Sequence, residues 1–176
     1  MAYWIFIVAV LVRFVPHPPN FAPVFGALLF GGAFLKRRDS VWFPVALLAV
    51  SDILLTTWVY HMRVGWAEPL DWLGFALIAL IGGWLRNRIS ARNVVAAALA
   101  GPTAFFLVSN FGVWLGFQMY PPSLAGLAAC YVAALPFFGN SLAASLFYSG
   151  LLFGAYELWR RRVAAMKSEL LAAGPR

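Results

Sequence analysis

The 176-residue chain is 63% hydrophobic and only 11% charged, with sixteen Phe and eight Trp residues. Soluble domains carry about 25% charged residues, so this chain lacks the polar side chains needed to cover a water-facing surface. Its net charge of +7 comes from short Lys and Arg clusters between long apolar runs. That distribution argues against a nucleic-acid-binding surface and predicts an all-α integral membrane protein with membrane lipids around it.

Apolar segments alternate with polar ones along the whole chain, and a membrane-crossing helix needs about 20 apolar residues. The pattern predicts six transmembrane helices, at about 2–15, 22–35, 41–60, 72–85, 94–117 and 138–159. Pro136 is expected to separate the sixth helix from a re-entrant or interfacial piece at 123–137. We therefore predict one transmembrane domain over residues 1–160 and a short basic tail over 161–176, lying at the cytoplasmic membrane surface.

The first two segments are short, and the loop between them contains Pro16, Pro18, Pro19 and Pro23. Four prolines in eight residues make this loop stiff and incompatible with a regular helix. Short spans are plausible only if the loop dips into the protein, where its backbone polar groups find partners. The sequence therefore predicts a defined cap in this place.

The basic residues fall unevenly on the two sides of the predicted bundle. Only Arg13 and Arg63 lie on one side, whereas the other eleven Lys and Arg residues lie opposite. The positive-inside rule then predicts a multi-pass membrane protein with both termini cytoplasmic. It groups the proline-rich loop, the 61–71 loop and the 120–136 stretch on the outer face. The eleven are Lys36, Arg37, Arg38, Arg86, Arg88, Arg92, Arg160, Arg161, Arg162, Lys167 and Arg176.

Seven polar residues share the predicted outer half and are the candidates for ligand binding. An ionised group inside a span costs roughly 2.5–3.5 kcal/mol, so it is usually paired or functional. Asp52 is therefore interpreted either as a structural partner of Arg13 or as part of a ligand pocket. The seven candidates are Arg13, His17, Asn20, Asp52, Tyr60, Asn110 and Asn140.

The other candidates each have a structural alternative. His17 is either a ligand or metal contact or an ordinary loop histidine. Asn20 is either a pocket residue or the N-cap of the second helix. Asn110 and Asn140 are alternatively hydrogen-bond partners between helices, and Tyr60 is alternatively a residue of the aromatic belt.

Catalytic and cofactor chemistry find no support in the sequence. Cys130 is the one cysteine, which excludes an intramolecular disulfide or a cysteine metal cluster. No nucleophile–base or two-histidine pair recurs at helical spacing, and no Gly-x-x-x-x-Gly-Lys-[Ser/Thr] phosphate loop is present. We expect neither an enzyme nor a resident cofactor.

Several short motifs together resemble a known family. The motifs are Arg13-Phe14-x-Pro16-His17-Pro18-Pro19-Asn20-Phe21, Leu29-Phe30-Gly31-Gly32, Ser51-Asp52, Ser109-Asn110-Phe111-Gly112-x-Trp114 and Pro136-Phe137-Phe138-x-Asn140. In these motifs the chain is similar to small bacterial membrane proteins related to the substrate-binding S-components of energy-coupling factor (ECF) vitamin transporters, and nearest to the cobalamin-binding type. This likeness implies a multi-pass protein of the bacterial inner membrane.

The resemblance implies a six-helix bundle whose outer loops close over a vitamin or vitamin precursor, such as a corrinoid. It also implies His17 and Asp52 at the pocket, with His17 a possible ligand to a metal in the vitamin. An ECF-type coupling subunit and its ATPases would supply energy. Two departures are visible: residues 61–71 hold no cysteine that could bind cobalt, and Ala2 and Ala9 do not form an Ala-x-x-x-Ala docking face.

A second class of function stays open on the sequence alone. The chain could be an accessory subunit of a larger respiratory or photosynthetic membrane complex, with its aromatic residues against lipid, pigment or neighbouring helices. A pocket between the outer loops would favour transport. Filled outer loops, with a continuous apolar face on several helices, would favour the accessory subunit.

Overall fold

The computed structural model describes residues 2–16, 18–63, 65 and 68–173, with the backbone alone for 170–173. Within these ranges the chain is all α-helical, as predicted, and has no strand. A π-helical segment, Leu55–Val59, continues the third helix directly. The helices are α1 (Ala2–Val12), α2 (Val24–Phe34), α3 (Trp42–Leu54), α4 (Glu68–Leu85), α5 (Ala91–Gly116) and α6 (Leu124–Ala173).

Helix length divides the bundle into two groups. By length and apolar composition, α3 with its π-helical segment, α4, α5 and α6 can each cross a membrane. In contrast, α1 and α2 have only 11 residues each. At 1.5 Å per residue each spans about 16 Å, roughly half of a 30 Å hydrocarbon core.

The basic clusters lie together at one end of the bundle, which we call the basic end. The ring of Phe34, at the end of α2, lies 4.1 Å from that of Tyr156 on α6. Arg86, just after α4, donates a hydrogen bond of 2.9 Å to the Gly32 carbonyl. These contacts bring together the basic residues that follow α2, α4 and the apolar part of α6, namely Lys36–Arg38, Arg86–Arg92 and Arg160–Arg162.

The first turn of α1 is tied to the same end. The Tyr3 hydroxyl donates a 2.5 Å hydrogen bond to the carboxylate of Asp39, in the loop between α2 and α3. This bond, with the positive charges of Arg38 and Lys36 nearby, holds the pKa of Asp39 below its usual range. Thus α1 starts at the basic end and α2 returns to it.

The core is built around α2, whose residues from Val24 to Ala33 are all buried. Such a helix, apolar all round, is typical of the centre of a bundle. Glycines allow α4 to cross α2 closely. A Cβ atom added to Gly82 would lie only 2.8 Å from the Cα of Leu29, so there is no room for a larger residue. Close backbone approach at small residues is the usual way in which helices associate in membranes.

The predicted break at Pro136 is wrong. Pro136 lies inside α6, and residues 124–137 belong to the same continuous helix as the predicted sixth span. A proline removes one backbone donor from a helix, a loss that neighbouring helices and local adjustments can offset within a packed bundle. Pro102 is accommodated in the same way inside α5.

The polar loop before the fourth span is shorter than predicted. Helix α4 begins at Glu68 and not at Trp72, so Glu68 and Asp71 form its first turn. Carboxylates are favourable there because they face the positive end of the helix dipole. The error came from treating charged residues as loop residues.

We expect Gly82→Ala to destabilise the protein, because the added methyl group would overlap the Leu29 backbone, which cannot move aside as a side chain can. Overpacking of this kind costs about 1–3 kcal/mol. Thermal unfolding in detergent would measure the effect. The matched control is Gly83→Ala, whose nearest atom would be the Gly32 carbonyl oxygen at 4.0 Å. A Gly82→Ala variant as stable as Gly83→Ala would contradict the close crossing.

Candidate functional site

The short hairpin of α1 and α2 leaves space in the half of the bundle away from the basic end. Because α3 to α6 continue past this hairpin, their far halves enclose a cavity of about 420 Å³ above its loop. Every one of the long helices or its extension contributes to the wall. The lining residues are Arg13, Pro19, Asn20, Ala22, Val24, Phe25, Leu55, Tyr60, Phe75, Phe105 and Ser141.

The floor of the cavity is the proline-rich loop, which packs against α6. The Asn140 side chain donates a 3.0 Å hydrogen bond to the Pro19 carbonyl. The Phe21 ring lies 6.3 Å from the ring of Phe147 and 5.9 Å from that of Tyr148. The loop is therefore fixed to α6 by one polar and two aromatic contacts, as expected for a defined cap.

One side of the cavity is held by an ion pair between α1 and α3. Arg13 bonds to Asp52 at 2.5 Å and donates a second bond of 2.6 Å to the Ser51 hydroxyl. The other oxygen of Asp52 accepts a 3.2 Å bond from the Trp72 indole. The Arg13–Asp52 pair offered as a structural explanation of Asp52 is thus formed, and it ties α1, α3 and α4 together.

The part of the cavity wall next to this ion pair is aromatic. The Phe75 and Phe105 rings stack at 5.0 Å with an interplanar angle of 20°, and the Phe25 ring lies 5.1 Å from Phe105. The guanidinium of Arg13 lies 6.0 Å from the centre of the Phe75 ring. The wall therefore combines apolar ring surfaces with one cation whose charge is balanced by Asp52.

A smaller cavity of about 150 Å³ adjoins this site between α5 and α6. The two cavities share Asn20, Phe105 and Ser141 in their walls. The smaller one is also lined by Ser109 and Asn110. The shared residues make it a side compartment of the same site.

The structure brings most of the predicted residues to this region in different roles. Arg13, Asn20 and Tyr60 line the large cavity, and Asn20 and Asn110 line the small one. Asp52 lies behind Arg13, outside both lining sets, and acts on the cavity through its bonds to Arg13. Asn140 holds the loop in place, and His17 lies outside the described residues.

Two structural interpretations of the asparagines are wrong. Asn20 is not the N-cap of α2, because that helix starts after Pro23, which makes no side-chain cap bond. Instead, Asn20 is exposed and has a φ of 59°, a left-handed conformation that Asn tolerates better than most residues. Asn110 does not bond to another helix through its side chain, which donates to the Phe106 carbonyl of its own helix.

Two acidic residues near the ion pair were missed as candidates. Asp71 is close enough to Asp52, Glu68 and Arg13 to be affected by their charges, so the first turn of α4 adds acidic side chains to the surroundings of the ion pair. The available signal was the spacing of Glu68 and Asp71, which places both acids on the first turn of a helix. The cavity-lining Phe25, Phe75 and Phe105 gave no such signal, since the sequence contains sixteen phenylalanines.

The described residues of the site do not form a metal centre. Over the residues that the structure describes, no three or more His, Cys, Asp or Glu side chains are grouped so that they could hold a metal ion. The acids around Arg13 are partly neutralised by it. Their arrangement suits a structural charge cluster at the side of a cavity.

The fold and the site together define an all-helical, membrane-type bundle. The wall of its larger cavity combines aromatic rings with Arg13, whose charge is balanced by Asp52. The chain belongs to the family described as "Family of unknown function (DUF6580)", whose match covers residues 1–167. No curated protein and no solved structure matches the chain. The match extends from α1 into the tail, so the cavity and its surrounding helices belong to the family region.

We expect Asp52→Asn to lower thermal stability, because it leaves the Arg13 charge without its partner. Breaking a buried ion pair costs about 3–5 kcal/mol, and the slight exposure of this pair favours the lower end. A Trp72→Phe variant, which loses only one hydrogen bond to the same carboxylate, should cost about 1 kcal/mol. Thermal unfolding of both variants would measure the effects.

The single variants Arg13→Met and Asp52→Leu, together with the double variant, form a double-mutant cycle. The loss of stability of the double variant should be smaller than the sum of the two single losses, because no charge is left unpaired. Additive losses would show that the two side chains do not stabilise each other.

Proposed function

We propose that the protein is a substrate-binding membrane transport protein, similar to an ECF S-component, that captures a vitamin or vitamin precursor at its outer face. The observation that carries this proposal is the cavity of about 420 Å³ over the proline-rich loop. Ligand pockets usually have volumes of about 300–1,000 Å³ and combine apolar walls with a few polar groups. The composition of this wall follows that pattern.

The cavity wall favours a particular kind of solute. Phe25, Phe75 and Phe105 offer ring surfaces, while Asn20 and Tyr60 offer groups for hydrogen bonding. Arg13 carries the charge on this wall, and Asp52 balances it. These features favour a compact, ring-bearing solute with a few polar groups. An intact corrinoid is several times larger and would extend out of the cavity, so a smaller vitamin or a precursor fits better.

The proposed orientation places the basic end in the cytoplasm of a bacterial inner membrane, with both termini on that side. In this orientation α3 to α6 cross the whole membrane, and α1 and α2 form the remaining pair of the six-segment bundle. Their loop then lies at about half depth, covered by protein. The cavity opens toward the outer face, where a solute would arrive.

Transport requires a step that the chain cannot power alone, since it contains no phosphate-binding loop for ATP. In the proposed mechanism, an ECF-type coupling subunit with its ATPases supplies the energy. The bundle tilts as a rigid body, or the outer ends separate to release the solute. His17, which lies outside the described residues, stays a candidate ligand contact.

The accessory-subunit alternative is favoured by one observation. The hairpin between α5 and α6 extends beyond the far ends of the other helices and exposes Leu115, Met119 and Leu124 by 62%, 69% and 85%. Such side chains suit burial against another membrane subunit or lipid. The cavity nevertheless favours binding, because a purely structural subunit has no need for one.

The first test is mass spectrometry of small molecules that co-purify with the detergent-solubilised protein, measured per mole of chain. We expect one small compound in substantial amount, and Asn20→Gly should reduce its occupancy because a polar group is lost from both cavities. The loss of one hydrogen bond corresponds to roughly a fivefold to tenfold weaker affinity. Glycine keeps the left-handed conformation at residue 20, so the backbone is not strained.

The matched control is Gln118→Gly. Gln118 also has a positive φ, of 52°, but lies in the loop between α5 and α6 and lines neither cavity. Its occupancy should equal that of the unmodified protein. Protein that carries no small molecule but co-purifies with a fixed set of membrane subunits would instead support the accessory-subunit alternative.

The topology is tested with reporter fusions. Fusions after Arg38, Arg88 and Arg162 should report the cytoplasm, because eleven of the thirteen basic residues lie on that side. A fusion at Gln118 should report the opposite side. If the reporter after Arg38 or Arg88 were periplasmic, both the orientation and the outward-facing cavity would be wrong.

A further inference from the structure

Helix α6 continues well past the basic end of the bundle. Tyr156 still packs against Phe34 of α2, yet the helix runs on to Ala173. At 1.5 Å per residue, residues 160–173 extend about 20 Å further. All the side chains from Arg160 to Glu169 are exposed. A helix of this length projecting into water needs an explanation in terms of what it contacts.

The apolar residues of this projection continue a contact that α6 already makes. Leu152 and Tyr156 pack against the core of the bundle, and Trp159, Val163 and Met166 follow them at spacings of three and four residues. This is the a and d spacing of a coiled coil, in which one helix packs along another. We call Trp159, Val163 and Met166 the tail seam; their side chains are 46%, 39% and 55% exposed.

The charges beside the tail seam indicate the chemistry of the helix that would cover it. With Tyr156 as an a position, Arg160 and Lys167 are e positions, and Arg162 and Glu169 are g positions. These are the positions whose charges choose a coiled-coil partner. Three of the four are basic; Arg160 is already paired with Glu157 of the same helix, which leaves Arg162 and Lys167 for a partner. A complementary helix therefore carries Asp or Glu opposite these two residues.

A second copy of the chain does not meet this requirement. Two copies in one membrane have the same orientation, so their α6 tails would pair in parallel. In a parallel pair the g position of one helix faces the following e position of the other. Arg162 would therefore face Lys167 of the second copy, and this like-charge contact opposes pairing.

The membrane surface is also a poorer occupant than a helix. To lie flat on the headgroups, the tail would have to bend away from the axis of the span just after Trp159. The structure shows an unbroken helix there, and residues 160–162 are all arginine, without the Gly or Pro that usually causes a sharp kink. The apolar and charged residues are instead arranged along a straight helix.

We propose that the tail seam is a docking surface for an acidic-flanked helix of a separate cytoplasmic or membrane-associated protein. This surface lies at the opposite end of the bundle from the cavity and is independent of the solute that the cavity binds. Docking there would fix the tail of α6, which is continuous with the helix whose Ser141 lines both cavities.

The test uses the full chain in nanodiscs of zwitterionic lipid and two fluorescently labelled synthetic helices. Both carry Leu at a and d; one carries Glu at e and g, and the other carries Lys. By fluorescence anisotropy, the Glu-flanked helix should bind at least about tenfold more tightly than the Lys-flanked one. Val163→Asp should weaken its binding by about tenfold, because it places a carboxylate inside the apolar seam.

The matched control is Ala165→Asp, which adds the same charge to an exposed position outside the seam and should leave binding within about twofold. Circular dichroism of both variants would verify that the helix content is unchanged. Equal binding of the two peptides, or binding unaffected by Val163→Asp, would overturn the proposal.

Two further outcomes would identify another occupant and also overturn it. Sedimentation of the unmodified chain as a dimer that Val163→Asp converts to monomer would assign the seam to a second copy. Protection of Arg162 and Lys167 from trypsin in vesicles with anionic lipid, but not in zwitterionic ones, would assign it to the membrane surface. Trypsin cleavage at equal rates in both lipids supports a tail that projects into water.

Discussion

The mismatch between short and long helices is the constraint on which the rest of this structure depends. Helices α1 and α2 have 11 residues each, whereas α4 has 18 and α5 has 26. The chain must therefore turn at about half the depth of the bundle, where an irregular backbone needs protein or a water-filled cavity to satisfy its polar groups. Prolines reduce this problem because each one removes a backbone donor that would otherwise need a partner. Three of the four proline carbonyls accept hydrogen bonds: Pro18 from the amide of Phe21, Pro19 from the Asn140 side chain and Pro23 from the amide of Ala27.

The same mismatch explains both the buried centre and the cavity. Since α2 occupies only the half of the bundle at the basic end, the long helices close around it there, with α4 crossing at Gly32 and Gly82. On the other side of Val24, where α2 starts, the described chain has no central helix. Helices α3 to α6 cannot collapse into this space, because α2 holds them apart at the basic end. The cavity is therefore a consequence of helix length, and side chains such as Phe105 and Asn20 determine only its chemistry. We therefore expect the half of the bundle at the basic end to be rigid, and any opening movement to occur at the far ends of the helices.

The sequence predicted those features that depend on composition over many residues. The apolar segments, the common end of the basic clusters and the shortness of α1 and α2 all follow from runs of residues, and the structure agrees with them. It failed where a single residue type was given too much weight. Pro136 does not end α6, Glu68 and Asp71 do not belong to a loop, and Asn20 does not cap α2. In each case, packing with other helices or the helix dipole outweighed the local preference. The aromatic wall could not be predicted, because nothing in the sequence separates Phe75 and Phe105 from the phenylalanines that face lipid.

The Arg13–Asp52 pair connects the fold to the selectivity of the cavity. Arg13 follows the last turn of α1, where a short helix ends inside the protein, and its bonds to Ser51 and Asp52 hold that end against α3. A charge at this depth would be costly without a partner. The first role of Asp52 is therefore structural, because it neutralises Arg13 at the end of the short helix α1. The cation on the cavity wall is therefore already neutralised. Under the proposed binding function, a solute would gain little from carrying a charge and more from ring surface and well-placed polar groups.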